Sequence, residues 1–246
     1  MREIDDIDPV RAVRYNHWKE RQTDKMNSAL SVEKQRNAFT MIELVLVIVV
    51  LGILSALAIP RMERDLRQEA ADNILSAIRY TQHLALIDDK TDPFDTDWQK
   101  ELWKISFSTS TVGNKAFFYT ISSDSNHNGS VSEDETAIDP ANGKYYFNTN
   151  GNPTINASES PNIFIGRKYG IKKMKFTGGC SDPHHIAFDH LGRPFNGIGG
   201  ASNDFAAYMK RDCTITLEFI SDGIDPLTII IKKETGYAYI KGEPDS

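Results

Sequence analysis

Residues 39–59 form an apolar run that carries a single carboxylate, Glu43, near its start. Its 21 residues, at about 1.5 Å rise each, make a helix of roughly 31 Å, close to the hydrocarbon thickness of a bilayer. From Leu44 to Ile59 nothing is charged, and only Gly52 and Ser55 interrupt the run, both tolerated in membrane helices. A soluble helix of this length would show a polar face; this one shows none, so the run predicts a membrane span. A charge inside such a segment is expensive and implies a specific partner for Glu43. A secretory signal peptide is the competing reading. The run exceeds the apolar core of about 7–15 residues such signals use, and the small-residue stretch Ser55-Ala56-Leu57-Ala58 lies inside it.

The order of basic residues, Ala38, Phe39, Glu43, Gly52 and Pro60 resembles the processing and assembly signal of type IV pilins and type II secretion pseudopilins. The resemblance implies cleavage between Ala38 and Phe39 by a prepilin peptidase on the cytoplasmic side, followed by N-methylation of Phe39. Ala38 stands where that family more often has glycine; it is still a small residue that a tight peptidase subsite accepts. Counted from Phe39, Glu43 is the fifth residue and Pro60 the twenty-second, in the family's register. The resemblance also gives Glu43 an assembly role: its carboxylate attracts the α-amino group of Phe39 on a neighbouring subunit. Two opposite charges desolvated together offset each other's cost. The implied partners are other pilin or pseudopilin subunits, the peptidase, an inner-membrane assembly platform and, before assembly, membrane lipid. The implied location is the inner membrane, single pass, with the C-terminal head in the periplasm until the subunit joins a filament.

On this reading residues 1–38 are a cytoplasmic leader that is cleaved, with eight Lys/Arg and seven Asp/Glu. A start at Met26 would give a 13-residue leader of the ordinary type. Basic residues tie on the two sides of the run, so orientation rests on the resemblance. Residues 39–60 are the transmembrane and filament-core half of a helix, and 61–90 its amphipathic half. There Met62, Leu66, Ala70, Ile74 and Ile78 recur every fourth position, joined by Ala71 and Leu75. A bend is expected at Pro60, and the helix is expected to end in Asp88-Asp89-Lys90-Thr91-Asp92-Pro93.

Residues 91–246 suffice for one β-rich extracytoplasmic head. Strands are predicted at 103–108, 116–121, 144–147, 162–165, 174–176, 185–188, 214–220, 227–232 and 237–240, the last two as a hairpin. The predicted fold class is α+β, with the long N-terminal helix packed on an antiparallel β-sheet head, as in the type IV pilin-like fold. The segment from Ile186 to Pro194, followed by the paired late strands, resembles the C-terminal part of H-type minor pseudopilins. A mature length of about 208 residues also suits a minor subunit in that family.

Cys180 and Cys213 both fall in the part that the resemblance places outside the cytoplasm, where a disulfide is the default. Closing a loop of about thirty residues stabilises by roughly 3–4 kcal/mol, and the bond is expected to brace the glycine-rich stretch 192–201. Metal binding by the two thiols is the other reading. The twelve residues 124–135 match a calcium loop: Asp124, Asn126 and Asn128 at positions 1, 3 and 5, Gly129 at 6, Val131 at 8 and Glu135 at 12. Asp124, Asn126, Asn128, the Ser130 carbonyl, Ser132 and Glu135 would hold a structural Ca2+, a strand preceding and a loop following. A solvated Asn/Asp/Gly turn is the alternative.

Asp182, His184, His185, Asp189 and His190 are dense enough to suggest a metal or acid-base cluster, but alternation along a strand would turn neighbours to opposite faces. No nucleophile-elbow, zinc-protease or phosphate-loop pattern accompanies them, and no enzyme is expected. A net charge of −6 offers no nucleic-acid footprint, and Lys172, Lys173 and Lys175, near Arg167 and Lys168, read as solubilising charges beside a strand. The expectation is a structural minor pseudopilin or minor pilin. A single-pass anchored calcium-binding domain that never polymerises, and a DNA-uptake pseudopilin, remain alternatives.

Overall fold

The computed structural model describes residues 40–110, 116–148, 154–181, 184–199 and 207–243, without the side chains of 56–65. The chain divides into two compact units, Met1–Leu54 and Ser55–Ser246. Helix α1 is assigned without a break over Met41–Ile87. It ends at the short polar residues expected to stop it, with Asp88 still donating its N–H to the Leu84 carbonyl.

In the first unit the described helix carries Met41, Ile42, Leu44, Val45, Leu46 and the apolar residues that follow, and every described side chain there is exposed. A continuous apolar surface of this extent in water is a docking or membrane surface rather than a stable end state. Among the described residues no helix is long and apolar enough to cross a membrane; within the apolar run the described side chains end at Ser55.

In the second unit the helix buries Ala70, Ala71, Ile74, Leu75, Ala77, Ile78, Thr81 and Ala85. This is the stripe a 3.6-residue period dictates. Two antiparallel sheets of four strands are described. The first contains β1 (Lys104–Thr109), β2 (Phe117–Ser122), β4 (His185–Phe188) and β5 (Pro194–Phe195), in the order β2-β1-β4-β5. The second contains β3 (Ile171–Gly178), β6 (Cys213–Phe219), β7 (Leu227–Ile231) and β8 (Ala238–Ile240), in the order β3-β6-β7-β8. One core joins the helix stripe to Ile105, Ile121, Ile186 and Phe188 of the first sheet and to Ile215, Leu217, Ile229, Ile231 and Ile240 of the second. Strict alternation in β6 and β7 puts one face of each strand in that core. The described head is α+β, with two antiparallel sheets behind the helix stripe.

The late hairpin forms as expected, with Ile230 opposite Tyr239. Strand β3 lies at a sheet edge with Lys172, Lys173 and Lys175 exposed, the charge pattern that blunts an unpaired edge. Two predicted strands are absent. At 144–147 Tyr145 makes only isolated bridges, to Ile138 and Glu159. At 162–165 a 3-10 turn, Pro161–Ile163, leads into helix α2, Ile165–Tyr169. There Ser160 accepts the Asn162 N–H and Pro161 opens the turn, a local helix-start signal that outweighs the apolar run Ile163-Phe164-Ile165.

Candidate functional site

The start of α1 is organised by Thr40 and Glu43. The Glu43 N–H donates to Thr40 Oγ1 at 3.3 Å, and Glu43 Oε2 accepts the Thr40 N–H at 3.3 Å and its hydroxyl at 3.4 Å. This reciprocal capping box satisfies backbone donors that a helix start leaves over. Its signal in the sequence is the Thr-x-x-Glu spacing of Thr40 and Glu43. Among the described residues the cap uses Oε2 alone. Ala38 and Phe39 lie outside the described residues.

The loop 124–135 leaves β2 and ends in a 3-10 turn, Glu133–Glu135. Its mouth is closed by the Ser123 N–H donating to the Glu135 carbonyl at 2.9 Å, with Ser122 bridged to Thr136. Inside, Asp124 Oδ2 accepts the Gly129 N–H at 3.0 Å, Asn126 Oδ1 accepts the Asn128 N–H at 2.9 Å, and Asn128 Oδ1 accepts the Ser130 N–H at 2.7 Å. Gly129 takes φ 77°, and His127 is left-handed at φ 58° without being glycine. Glu135 and Ser132 form a second capping box. Burial opposes ionisation of Glu135, but hydrogen bonds from Ser132, Asn126 and Ser125 outweigh it and hold the carboxyl below its ordinary value. All six residues singled out as calcium ligands thus belong to one turn, with the side chains at positions 1, 3, 5 and 12 tied to the loop's own backbone.

His127 carries its ring to Glu101 Oε1 at 2.9 Å and Asp95 Oδ2 at 3.7 Å. These three side chains are close enough to share an ion. They come from three separate stretches of chain, so no local spacing signals the group.

Cys180 and Cys213 are joined by a disulfide, with Cα atoms 5.2 Å apart. The bond ties the turn after β3 to the first residue of β6, where Gly178 already pairs with Cys213. Of the glycine-rich stretch that the bond is expected to brace, residues 192–199 are described. In the described part of that stretch, β5 pairs with β4 and the Asn196 N–H reaches the Ala207 carbonyl.

The described histidines of the suggested cluster have separate partners; Asp182 lies outside the described residues. His184 stacks on Phe176 with ring centroids 4.6 Å apart. His185 Nε2 accepts the Gly197 N–H at 3.1 Å. His190 pairs with Asp89 at 3.2 Å. Asp189 accepts the Arg193 guanidinium at 2.6 and 2.7 Å and the backbone N–H groups of Leu191 and Arg193. Asp189 thus shapes the β4–β5 turn.

Residues 34–59 match the family described as the prokaryotic N-terminal methylation motif. Comparison with curated proteins and with solved structures gave no match. The matched stretch includes Ala38, Phe39, Glu43 and Gly52 and ends just before Pro60. At residues 34–59 the chain carries the prepilin processing signal of the type IV pilins and pseudopilins.

Proposed function

We propose that the chain is a structural, non-catalytic subunit, a minor pseudopilin or minor pilin, of a type II secretion or type IV pilus-like filament. The observation that carries this reading is the methylation motif at 34–59, together with the exposure of every described apolar side chain of the helix from Met41 to Leu54. A surface of that kind requires cover, first by lipid and then by the helices of neighbouring subunits. Prepilin peptidase cleaves between Ala38 and Phe39, and the chain is held by residues 39–60 with its head on the periplasmic side. Glu43 then meets the α-amino group of Phe39 on the next subunit. The capping box engages Oε2, so Oε1 is the oxygen that takes the incoming ammonium.

Filament incorporation of Glu43→Val tests this role. The variant is expected to be cleaved and methylated but excluded from filaments, whereas normal incorporation would remove Glu43 from assembly. A chain that is processed normally yet never enters a filament in wild-type form would instead be a plain membrane anchor.

A further inference from the structure

The two carboxylates of the loop 124–135 are satisfied unequally. Glu135 Oε2 accepts the Ser132 N–H at 3.0 Å and the Ser132 hydroxyl at 2.7 Å, while Oε1 accepts the Asn126 N–H at 3.2 Å and the Ser125 hydroxyl at 3.3 Å. Asp124 is 2% exposed. Its Oδ2 is turned onto the Gly129 amide at the tight bend of the loop, which sets the carboxylate on the loop's inner side. Its Oδ1 is buried and accepts no hydrogen bond among the described residues. A buried carboxylate oxygen without a donor is costly, and native structures retain one where something else supplies the positive charge.

The Lys104 ammonium acts on Asp124 and Glu135 through space, yet it gives Oδ1 no hydrogen bond. The rest of the loop supplies oxygen. The side-chain carbonyls of Asn126 and Asn128 each accept one backbone N–H and keep a second lone pair. His127 is turned away to Glu101 and Asp95, which keeps nitrogen out of the donor set.

We propose that residues 124–135 bind one Ca2+ ion through Asp124 Oδ1, the side-chain carbonyls of Asn126 and Asn128, the Ser130 carbonyl, Ser132 and both oxygens of Glu135. The ion takes the position opposite Oδ1 and draws on the Glu135 lone pairs now held by the two longest contacts, to Asn126 and Ser125. An all-oxygen, irregular set that includes a bidentate carboxylate suits Ca2+, whereas Mg2+ demands a compact octahedron and keeps its water. Two ligand carboxylates and two neutral amides place the affinity with the weak extracellular modules, so the site is structural. It fastens the end of β2 to the Glu133–Glu135 turn. This inference stands whether or not the chain polymerises.

Calorimetric titration of the full-length chain in detergent, stripped of metal with a chelator, tests it. One Ca2+ per chain is expected with a Kd of about 0.1–1 mM, and Mg2+ at the same concentration binds far more weakly. At about 10 mM Ca2+ the Tm rises by roughly 5 °C. Asp124→Asn keeps an acceptor for the Gly129 amide and removes the charge. It is expected to weaken Ca2+ binding at least about tenfold and to leave the metal-free Tm at or above wild type. Absence of saturable binding by the wild-type chain, or unchanged affinity in the variant, overturns the proposal. A lower metal-free Tm in the variant overturns it too, because it assigns Oδ1 to Lys104 instead of an ion.

Discussion

The side-chain amide of Gln82, on the helix, donates to the carbonyl oxygen of Gly192 at 2.9 Å. The same Nε2 donates to the Thr235 carbonyl at 2.8 Å. One side chain of α1 thereby fastens the turn between β4 and β5 and the turn between β7 and β8, one from each sheet. Replacing Gln82 by Ala removes both bonds and is expected to lower stability by about 1–2 kcal/mol, with the denaturant slope unchanged, in urea titration of the purified chain.

Gly236 sits beside that clamp at φ 68°, and a Cβ there would overlap the Gly192 carbonyl oxygen and crowd Phe188. Backbone conformation and space both require glycine. Gly236→Ala is expected to cost about 2–4 kcal/mol, more than Gln82→Ala, and the order of the two midpoints in one denaturation series checks this.

His185 makes the head acid-sensitive. Burial disfavours its cation, the nearby Lys104 adds repulsion, and the pKa falls to about 4; the bond accepted from Gly197 also requires an unprotonated Nε2. In the unfolded chain the ring takes its proton near about 6.5. Between these values the unfolded state binds more protons, so stability falls as the pH drops from about 6.5 to about 4. The slope is up to about 1.4 kcal/mol per pH unit, on the order of 2 kcal/mol in total for a partly exposed ring. Over that window the urea midpoint of His185→Gln is expected to change less than that of the wild type.

Reducing the Cys180–Cys213 bond is expected to lower stability by roughly 3 kcal/mol through the freed unfolded chain. Because the bond joins ends of β3 and β6 that are already paired, the reduced head keeps its fold. Far-ultraviolet circular dichroism at 25 °C should be unchanged while the Tm drops.

Much of the head was legible because its signals are local and periodic. Ala70, Ile74 and Ile78 announced the buried helix stripe by spacing, and the strand expected over 214–220 lies within a residue of β6 at each end. The failures have physical causes. Ile163-Phe164-Ile165 is too short an apolar run to choose between strand and helix, and the Ser160-Pro161 start signal decided it. Pro194–Phe195 is a two-residue strand, below what alternation can register. The ligand spacing of 124–135 was visible in sequence, but the unshared oxygen of Asp124 depends on burial by the folded head. The group formed by Asp95, Glu101 and His127 exists only after distant stretches converge.

Mass spectrometry of the N-terminus tests processing at Phe39 most directly. Co-expressed with a prepilin peptidase, the chain is expected to begin at N-methylated Phe39, 38 residues shorter than the full sequence. An N-terminus that still carries residues before Phe39 in the presence of an active peptidase would contradict the assignment.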